Sequence, residues 1–195
     1  MLNRILAGAV GAFLLVATLA GCASSSTGSA FNGKNLDGWR GTAPWFVYDG
    51  TILCPNSTDL EAPLASMHTI EGPCEVDVEL KLLRRDNEDG RGFWLKRDVK
   101  DQDAGELHVR IDSSPNEFQV KILPSGPTKA ATHPLEQGEW YQLSCRVDAD
   151  GLVTAKLDGE TVITTQWPYG FPLTLGLECQ RSGAAFRRVD VRDLN

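Results

Sequence analysis

The sequence predicts an all-β fold built as a two-sheet antiparallel sandwich or jelly roll. From Trp45 onward the apolar residues alternate with polar ones, which is typical of strands that bury one face. Asp-Gly dipeptides separate several of these runs, and this pair favours tight hairpin turns. No stretch of this region has the periodicity of an amphipathic helix. Many short strands divided by turn signals indicate a sandwich or a barrel.

The predicted domain opens with the segment FNGKNLDGW, which runs from Phe31 to Trp39. Asn-Gly and Asp-Gly favour turns because Gly and Asn tolerate positive φ at little cost. These turn dipeptides lie between Phe31, Leu36 and Trp39. The pattern predicts a short looped opening that places aromatic side chains in a β core.

The strands then follow in chain order. Trp45–Leu53 predicts a hairpin with Asp49-Gly50 as its turn, and Glu75–Leu82 alternates valine and leucine with charged residues. Further strands are predicted at Gly92–Lys96, Gly105–Asp112, Phe118–Leu123, Glu139–Val147, Leu173–Gln180 and Phe186–Val191. Loops or turns are predicted at Pro55–Pro63, Arg84–Gly90 and Pro124–Gly138, and one more ladder turns at Asp150-Gly151 and Asp158-Gly159.

The N-terminus has the features of a bacterial lipoprotein signal. Asn3-Arg4 is a short basic region, Ile5–Leu19 is apolar and uncharged, and Leu19-Ala20-Gly21-Cys22 resembles a lipobox. The apolar run is shorter than the roughly 20 residues that a spanning helix needs, although a retained membrane anchor is the alternative. We expect residues 1–21 to be cleaved, residues 22–30 to be a flexible tether and residues 31–195 to be the domain.

Lipidation of Cys22 would attach the domain to a membrane of the bacterial envelope. Several acyl chains on one cysteine give stable anchoring, unlike a single chain. Ala23 follows Cys22, where an Asp is associated with retention in the inner membrane. We therefore expect the outer membrane, with the domain on its periplasmic or cell-surface side.

Charge and cysteine content narrow the possible partners. The formal net charge is −7, and the basic residues form no run, which argues against nucleic acid as a partner. Four cysteines remain besides Cys22, and four thiols in an exported protein allow three disulfide pairings. We expect Cys54–Cys74 and Cys145–Cys179, with buried free thiols as the alternative. No CxxC spacing occurs, so no metal site is expected.

The strand Gly105–Asp112 contains the main candidates for chemistry. Its apolar residues point to one side, while Glu106, His108 and Arg110 point to the other. An acid, an imidazole and a guanidinium in one row suit proton transfer beside a polarised carbonyl. A solvated strand face with cross-strand ion pairs is the alternative. With Glu178 from a later strand, Glu106 and His108 form the predicted catalytic set.

Substrate-binding residues are predicted on the same outward phase. An outward Trp94 beside Lys96 suits a sugar, whose C–H face stacks on the indole while its hydroxyls meet the cation. Alternatively, Trp94 is buried against a loop or a second sheet. The remaining predicted binding residues are Arg110, Lys121, Gln180 and Arg187, and Arg187 is also interpreted as a structural ion-pair partner.

Several segments resemble one known family. FNGKNLDGW resembles the "FNGKdLsGW" opening of the 3-keto-disaccharide hydrolase domain family, which has a concanavalin A-like lectin/glucanase fold. Glu75–Leu82, Glu139–Val147 and Phe186–Val191 resemble its strands "dFelrlEfrl", "geWNtyei" and "FrnIrI". The resemblance extends from Phe31 to Leu194. At the positions of Trp94 and Lys96 the family has an aromatic residue and an arginine.

The resemblance implies an activity on glycosides whose C3 hydroxyl has been oxidised to a ketone. The ketone acidifies the C2 proton, a base removes it, the aglycone leaves C1, and water adds to the enone. A separate oxidoreductase would supply the 3-keto sugar, so no cofactor is expected here. The absence of a GxGxxG or P-loop motif from the sequence agrees with this expectation.

The chain also departs from the family pattern. Its "yEvQilD" strand reads Phe118–Pro124 without either acidic residue, and Arg91 replaces the serine of "SGvflR". The "LqDHg" segment reads Leu177–Arg181 without the Asp or His. Two other functions therefore remain open: a non-catalytic lectin-like module with Trp94, Lys96, Arg110 and Lys121 along a glycan groove, and a structural lipoprotein that binds a protein partner through the acidic strand Glu75–Lys81.

Overall fold

Two antiparallel sheets stacked face to face form the described part of the protein, as predicted. The computed structural model describes residues 27–41, 44–55, 63–83, 90–97, 104–112, 116–179 and 183–194. Within these ranges every regular element is a strand. A search of these residues for a helix long and apolar enough to cross a membrane found none.

Fifteen strands make up the two sheets. In chain order they are β1 (Thr27–Ser29), β2 (Trp39–Gly41), β3 (Phe46–Tyr48), β4 (Thr51–Cys54), β5 (Leu64–Ile70), β6 (Cys74–Leu82), β7 (Gly90–Arg97), β8 (Gly105–Asp112), β9 (Glu117–Leu123), β10 (Thr128–Thr132), β11 (Trp140–Val147), β12 (Leu152–Leu157), β13 (Glu160–Gln166), β14 (Leu173–Cys179) and β15 (Ala184–Asp193). The eight-stranded sheet has the order β13-β12-β11-β6-β15-β4-β3, with β1 paired to β15. The seven-stranded sheet has the order β10-β9-β8-β7-β14-β5-β2.

The core lies between the sheets and follows the alternation of the strands. On β6 every second residue from Cys74 to Leu82 is fully buried, and on β8 the same holds for Leu107, Val109 and Ile111. Burying one face of each strand removes apolar surface from water at about 25 cal/mol per Å². The opposite phase of each strand is left on the outer face of its sheet, where a site can form.

The predicted turns and the opening segment have the expected geometry. Asp49 and Gly50 both have positive φ (48° and 68°), which is the requirement of the tight turn between β3 and β4. Phe31 and Trp39 are buried in the core, and the Trp39 indole N–H donates to the carbonyl of Ala30 at 2.9 Å. The segment therefore places two aromatic side chains in the core at the start of the domain.

Four strands differ from the prediction, and one of them, β2, was not predicted at all. β10 lies inside Pro124–Gly138, which was predicted to be a loop, because TKAAT lacks alternation yet pairs with β9 at the sheet edge. β5 was not predicted either. β1 lies inside the predicted tether 22–30 and pairs with the end of β15, so ordered structure begins by Thr27 rather than at Phe31. Residues 1–26, including Cys22 and the predicted signal peptide, lie outside the described residues.

The predicted disulfide pairing does not match the structure. Cys54, Cys74, Cys145 and Cys179 are all buried, and none of them is disulfide-bonded. Cys54 is in register with Ala184 and Cys74 with Asp193, so these two cysteines lie at opposite ends of β15. The thiol neighbours are Cys54 with Cys179 and Cys74 with Cys145. Chain order misled the prediction because β15 separates β4 from β6 in the sheet.

Candidate functional site

Polar side chains converge on the outer face of the seven-stranded sheet. Strand register places Lys121, His108, Trp94, Gly176 and Ala65 side by side on β9, β8, β7, β14 and β5. The next rows bring Glu106 beside Lys96 on one side, and Arg110, Gly92 and Glu178 together on the other. All of these residues except Gly92 and Gly176 line a cleft of about 500 Å³, which Pro63, Leu123 and Cys179 complete.

A row of side chains with alternating charge extends across three of these strands, β7, β8 and β14. His108 Nδ1 lies 2.8 Å from Glu178 Oε2, and His108 Nε2 lies 3.1 Å from Glu106 Oε2. Lys96 Nζ lies 2.8 Å from Glu106 Oε1. A protonated His108 donates one N–H to each carboxylate, so the imidazolium is held between two anions.

These contacts shift the pKa values of His108 and Glu106. Burial disfavours the charged imidazole, but the hydrogen bonds and negative charges of Glu178 and Glu106 outweigh it and raise the pKa of His108. Burial also acts on Glu106, yet Lys96 and His108 outweigh it and lower the pKa of that carboxyl. The site therefore favours a charged His108 beside an ionised Glu106.

Glu178 has one carboxylate oxygen in use and one unpaired. The residue is only 8% exposed, and Oε2 takes the hydrogen bond from His108. Oε1 is buried and has no hydrogen-bond partner among the described residues. A buried carboxylate oxygen without a donor is costly, so a native structure that keeps one calls for an explanation. Glu178 as a residue lines the cleft, so a ligand bound there is a candidate hydrogen-bond donor to this oxygen.

Trp94 lies against a glycine of the neighbouring strand. A Cβ added to Gly176 would come within 2.0 Å of the Trp94 ring, so the indole occupies the space that a side chain would fill. Ala65, next to Gly176 in the row, is also small. Trp94 is half-buried and lines the cleft on the outside of the sandwich. It is thus an outward aromatic platform, and it is not buried against the second sheet.

Arg110 is fixed by an amide and by two glycines. Its Nε and Nη2 donate to Gln119 Oε1 at 3.1 and 3.0 Å. The guanidinium lies over Gly90, where a Cβ would come within 2.8 Å of Nε and Nη1. At Gly92 a Cβ would meet the β8 backbone, 2.1 Å from the carbonyl oxygen of Val109. Both glycines therefore allow Arg110 and its strand to approach β7 closely.

Seven of the residues predicted for the site line this one cleft: Trp94, Lys96, Glu106, His108, Arg110, Lys121 and Glu178. The prediction for Arg187 does not agree with the structure. Arg187 lies on β15 of the other sheet, forms an ion pair with Glu79 and packs over Trp140, so it is the structural ion-pair partner of the alternative interpretation. Gln180 lies outside the described residues.

The glycines and the amide that shape the cleft were not predicted from the sequence. Gly90, Gly92 and Gly176 give Arg110 and Trp94 their room, and Gln119 orients Arg110. Glycine within a strand often marks a close approach of another group, so Gly92 and Gly176 were available as signals. Across the described residues, no cluster of three or more His, Cys, Asp or Glu side chains could hold a metal ion.

Most of the chain matches one known protein family. Residues 26–192 match the family described as 3-keto-alpha-glucoside-1,2-lyase-like domain. The chain belongs to this family. It is therefore a member of a family of carbohydrate-active β-sandwich domains. No protein of curated function matches the sequence.

Solved structures with similar folds include glycosidases and a carbohydrate-binding module. The GlcNAcα1-4Gal-releasing endo-β-galactosidase from Clostridium perfringens aligns with a TM-score of 0.71 at 8% identity, over 86% of this chain and 62% of that one. The Bacillus licheniformis β-glucanase aligns at 0.70 and 10% identity, over 87% and 98%. The carbohydrate-binding module CBM66 from Bacillus subtilis aligns at 0.63 and 17% identity, over 80% and 96%. At such identities these structures establish the concanavalin A-like fold alone.

Proposed function

We propose that the protein cleaves glycosides whose C3 hydroxyl has been oxidised to a ketone, with Glu178 as the base. The observation on which this rests is the buried, unpaired Oε1 of Glu178 in the cleft. The family relationship supports the choice of a 3-keto sugar, because the family is described as 3-keto-alpha-glucoside-1,2-lyase-like. Glu178 accepts the C2 proton, which the neighbouring ketone acidifies.

The other charged groups have complementary roles. Removal of the C2 proton places negative charge on the ketone oxygen, and the cationic His108 of the cleft stabilises it. The electron pair then forms the C1–C2 double bond as the bond from C1 to the aglycone oxygen breaks. The leaving oxygen takes the proton on His108 Nε2, which leaves its hydrogen bond to Glu106 for this step; until then Glu106 and Glu178 hold the imidazole in its charged form.

Water completes the hydrolysis and restores the protein. Its oxygen adds to C1, and Glu178 returns the abstracted proton to C2. The remaining proton of the water goes back to His108. Trp94 positions the sugar for both steps by stacking on its C–H face, as an outward indole in a sugar site does. No redox change occurs in these steps, so the ketone must be made by an oxidoreductase acting beforehand.

A lipid anchor at Cys22 is part of the same proposal. The lipobox Leu19–Cys22 supports it, and an outer-membrane position would place the domain where exported glycans are met. Metabolic labelling with a radioactive fatty acid tests it in the bacterial host. Label in the wild-type protein that is lost in Cys22→Ser supports the anchor, and an unlabelled wild-type protein contradicts it.

Release of the aglycone from a 3-keto-glucoside tests the function. We expect turnover by the wild-type domain and a loss of about 10²- to 10⁴-fold in Glu178→Gln, the size of a general-base contribution. Glu79→Gln is the matched control, because it removes a carboxylate from the outer face of the other sheet. Turnover by Glu178→Gln at the wild-type rate would overturn the assignment of the base.

A non-catalytic glycan-binding module is the second candidate. The Trp94 platform on Gly176 favours it, because stacking on an outward aromatic needs no acid or base. The missing acidic residues of the "yEvQilD" strand favour it as well. If the wild-type domain binds a glycan that Trp94→Ala no longer binds, and releases no aglycone from any 3-keto-glycoside tested, this candidate replaces the first.

A further inference from the structure

The cleft is cationic in a protein that is acidic overall. The whole chain has a formal net charge of −7. The cleft is lined by the cations Lys96, His108, Arg110 and Lys121, counting His108 as protonated, and by the carboxylates of Glu106 and Glu178. Among the described residues, four positive groups against two negative ones leave an excess of two positive charges. A local field of opposite sign to the whole molecule attracts anionic ligands to that place.

The excess belongs to two particular residues. Glu106 is paired with Lys96 and His108, and Glu178 is paired with His108. Arg110 and Lys121 have no carboxylate within ion-pair distance among the described residues. These two cations are therefore the ones that the cleft leaves without a counter-charge.

The hydrogen-bond partner of Arg110 is the neutral amide of Gln119, which does not neutralise the positive charge as a carboxylate would. Gln119 Oε1 accepts two N–H groups from Arg110, and its Nε2 donates to Glu117 Oε2 at 2.9 Å. Glu117 and its register partner Asp112 lie beyond the Arg110–Gln119 pair, at the end of β8 and β9. The amide fixes the guanidinium but leaves its positive charge and its remaining N–H groups for a ligand.

Lys121 and Arg110 lie to one side of the Trp94 platform. Lys121 is in register with His108, which is in register with Trp94, so Lys121 is two strands from the indole. Two strand spacings amount to about 10 Å. A sugar ring stacked on Trp94 therefore leaves the space above Lys121 and Arg110 to the next sugar unit of the same ligand.

We propose that this next sugar unit bears an anionic group, a carboxylate as in a uronic acid or a sulfate ester, and that Arg110 and Lys121 bind it. The inference concerns the same cleft as the proposed function and rests on it for the class of ligand. A guanidinium presents parallel N–H groups that match carboxylate and sulfate oxygens, and a lysine adds a compact charge. The substrates are thus acidic glycans rather than neutral disaccharides.

Calorimetric binding to three unoxidised disaccharides of matched linkage tests this proposal. One is neutral, one contains glucuronate, and one has a sulfate on the same unit. We expect at least one anionic disaccharide to bind about tenfold more tightly than the neutral one, the size of one charge-assisted hydrogen bond. Comparison of the glucuronate and sulfate arms identifies the source of the charge.

Two variants distinguish binding by Lys121 and Arg110 from a general effect of the protein's net charge. Lys121→Gln removes one cation, and Gln119→Glu places a carboxylate against Arg110. Each should reduce the preference for the anionic disaccharide about tenfold and leave binding of the neutral one unchanged. Lys156→Gln on β12 of the other sheet makes the same change in net charge as Lys121→Gln and should have no effect. Melting temperatures near wild type show that the variants are folded.

Equal affinity of the wild-type protein for all three disaccharides would overturn the proposal. So would a preference that persists in both Lys121→Gln and Gln119→Glu. Turnover of a neutral 3-keto-glucoside is measured in parallel, so the two proposals fail separately. A domain that turns this compound over but shows no anionic preference keeps the proposed function and loses this inference. A domain that prefers the anionic disaccharide but does not turn over the 3-keto-glucoside keeps this inference and loses the proposed function.

Discussion

The outer faces of the two sheets both present charged side chains but arrange them differently. On the eight-stranded sheet, arginines pair with carboxylates along and across strands: Arg192 with Glu75 at 2.9 Å, Arg188 with Asp190 at 2.6 Å and Arg146 with Asp148 at 2.7 Å. On the seven-stranded sheet, the charges meet in one cleft, where Glu178 Oε1 has no described partner and Lys121 no described counter-charge. The charges named on the first face are paired with one another, and the proposed function assigns the unpaired groups of the second face to a ligand.

The tryptophans of the two faces show the same contrast. Trp140 on β11 has Lys81 Nζ 4.8 Å and the Arg187 guanidinium 4.2 Å from its ring centroid, so cations already cover it. Trp94 on β7 lies on Gly176 and faces the cleft. An aromatic side chain is therefore a candidate sugar platform only where its neighbours leave a face of the ring uncovered.

The contrast also bears on the acidic strand Glu75–Lys81, the surface suggested for a protein partner. Arg192 pairs with Glu75, Arg187 pairs with Glu79, and Ser144 donates to Asp77. The acidic groups of this strand are thus engaged within the sheet. The strand offers a partner fewer open charges than its sequence suggests.

Replacing each tryptophan by alanine tests the contrast most directly. Trp94→Ala should lower the affinity for a bound glycan about tenfold to a hundredfold, because it removes most of a large apolar contact surface. Trp140→Ala should leave the affinity unchanged, since its ring is covered by Lys81 and Arg187. Isothermal titration calorimetry with the same glycan measures both. A larger loss in Trp140→Ala than in Trp94→Ala would reverse the assignment of the binding face.

Gly176→Ala tests the support under the platform. The new Cβ would lie within 2.0 Å of the Trp94 ring, so the indole must move. We expect about a tenfold loss of glycan affinity and a loss of roughly 1–3 kcal/mol in the free energy of unfolding, as for other overpacked sites. Gly28→Ala on β1 is the matched control, because no atom lies within 4 Å of its added Cβ. An unchanged affinity in Gly176→Ala would mean that the position of Trp94 does not matter for binding.

The sequence predicts the fold more completely than the site, for a physical reason. Alternation is local, so the strand at Gly105–Asp112 and the turn at Asp49-Gly50 follow from neighbouring residues, and the structure confirms both. β10 escaped prediction because its polar residues lack alternation and only pairing with β9 makes it a strand. Local patterns therefore recover strands with one buried face and miss polar edge strands.

The site depends on which strands become neighbours, and alternation does not encode this. Glu178 reaches His108 across β7, because β14 pairs with β7 after a separation of many residues along the chain. Arg187 has the same outward phase as the site residues, yet its strand belongs to the other sheet. The sequence identifies outward residues, but only the pairing decides which of them share a face.

Protonation of His108 gives a third test of the contrast, through stability. The pKa of His108 is raised in the folded protein by Glu178 and Glu106, against the effect of burial. A raised pKa means that the folded state binds the proton more tightly than the unfolded state. This stabilisation is fully present below the unfolded value of about 6.5 and is lost as the pH rises through the higher folded pKa.

Chemical denaturation of wild type and His108→Gln over a range of pH measures this term. The difference in the free energy of unfolding should be largest at about pH 6 and smaller at about pH 9. The prediction fails if the difference between wild type and His108→Gln grows as the pH rises.

The smallest effect on stability is expected from the ion pairs on the outer face of the eight-stranded sheet, which we call the paired face. Arg188 donates to Asp190, and its side chain is 52% exposed. Exposed ion pairs contribute roughly 0–1 kcal/mol because water screens them and both side chains lose freedom. Arg188→Gln should therefore change the free energy of unfolding by no more than about 1 kcal/mol and leave glycan affinity and turnover unchanged.

Salt concentration makes this last test informative about both faces. Added salt should remove the small effect of Arg188→Gln, because screening acts most strongly on exposed charges. The ion pairs of His108, whose side chain is 14% exposed, should be screened less, so the pH trend of His108→Gln should persist at the same salt concentration. Denaturation of the two variants at low and high salt gives both quantities. Equal salt sensitivity of the two variants would mean that the cleft is as open to water as the paired face, and the contrast between the sheets would then rest on Trp94 and Glu178 alone.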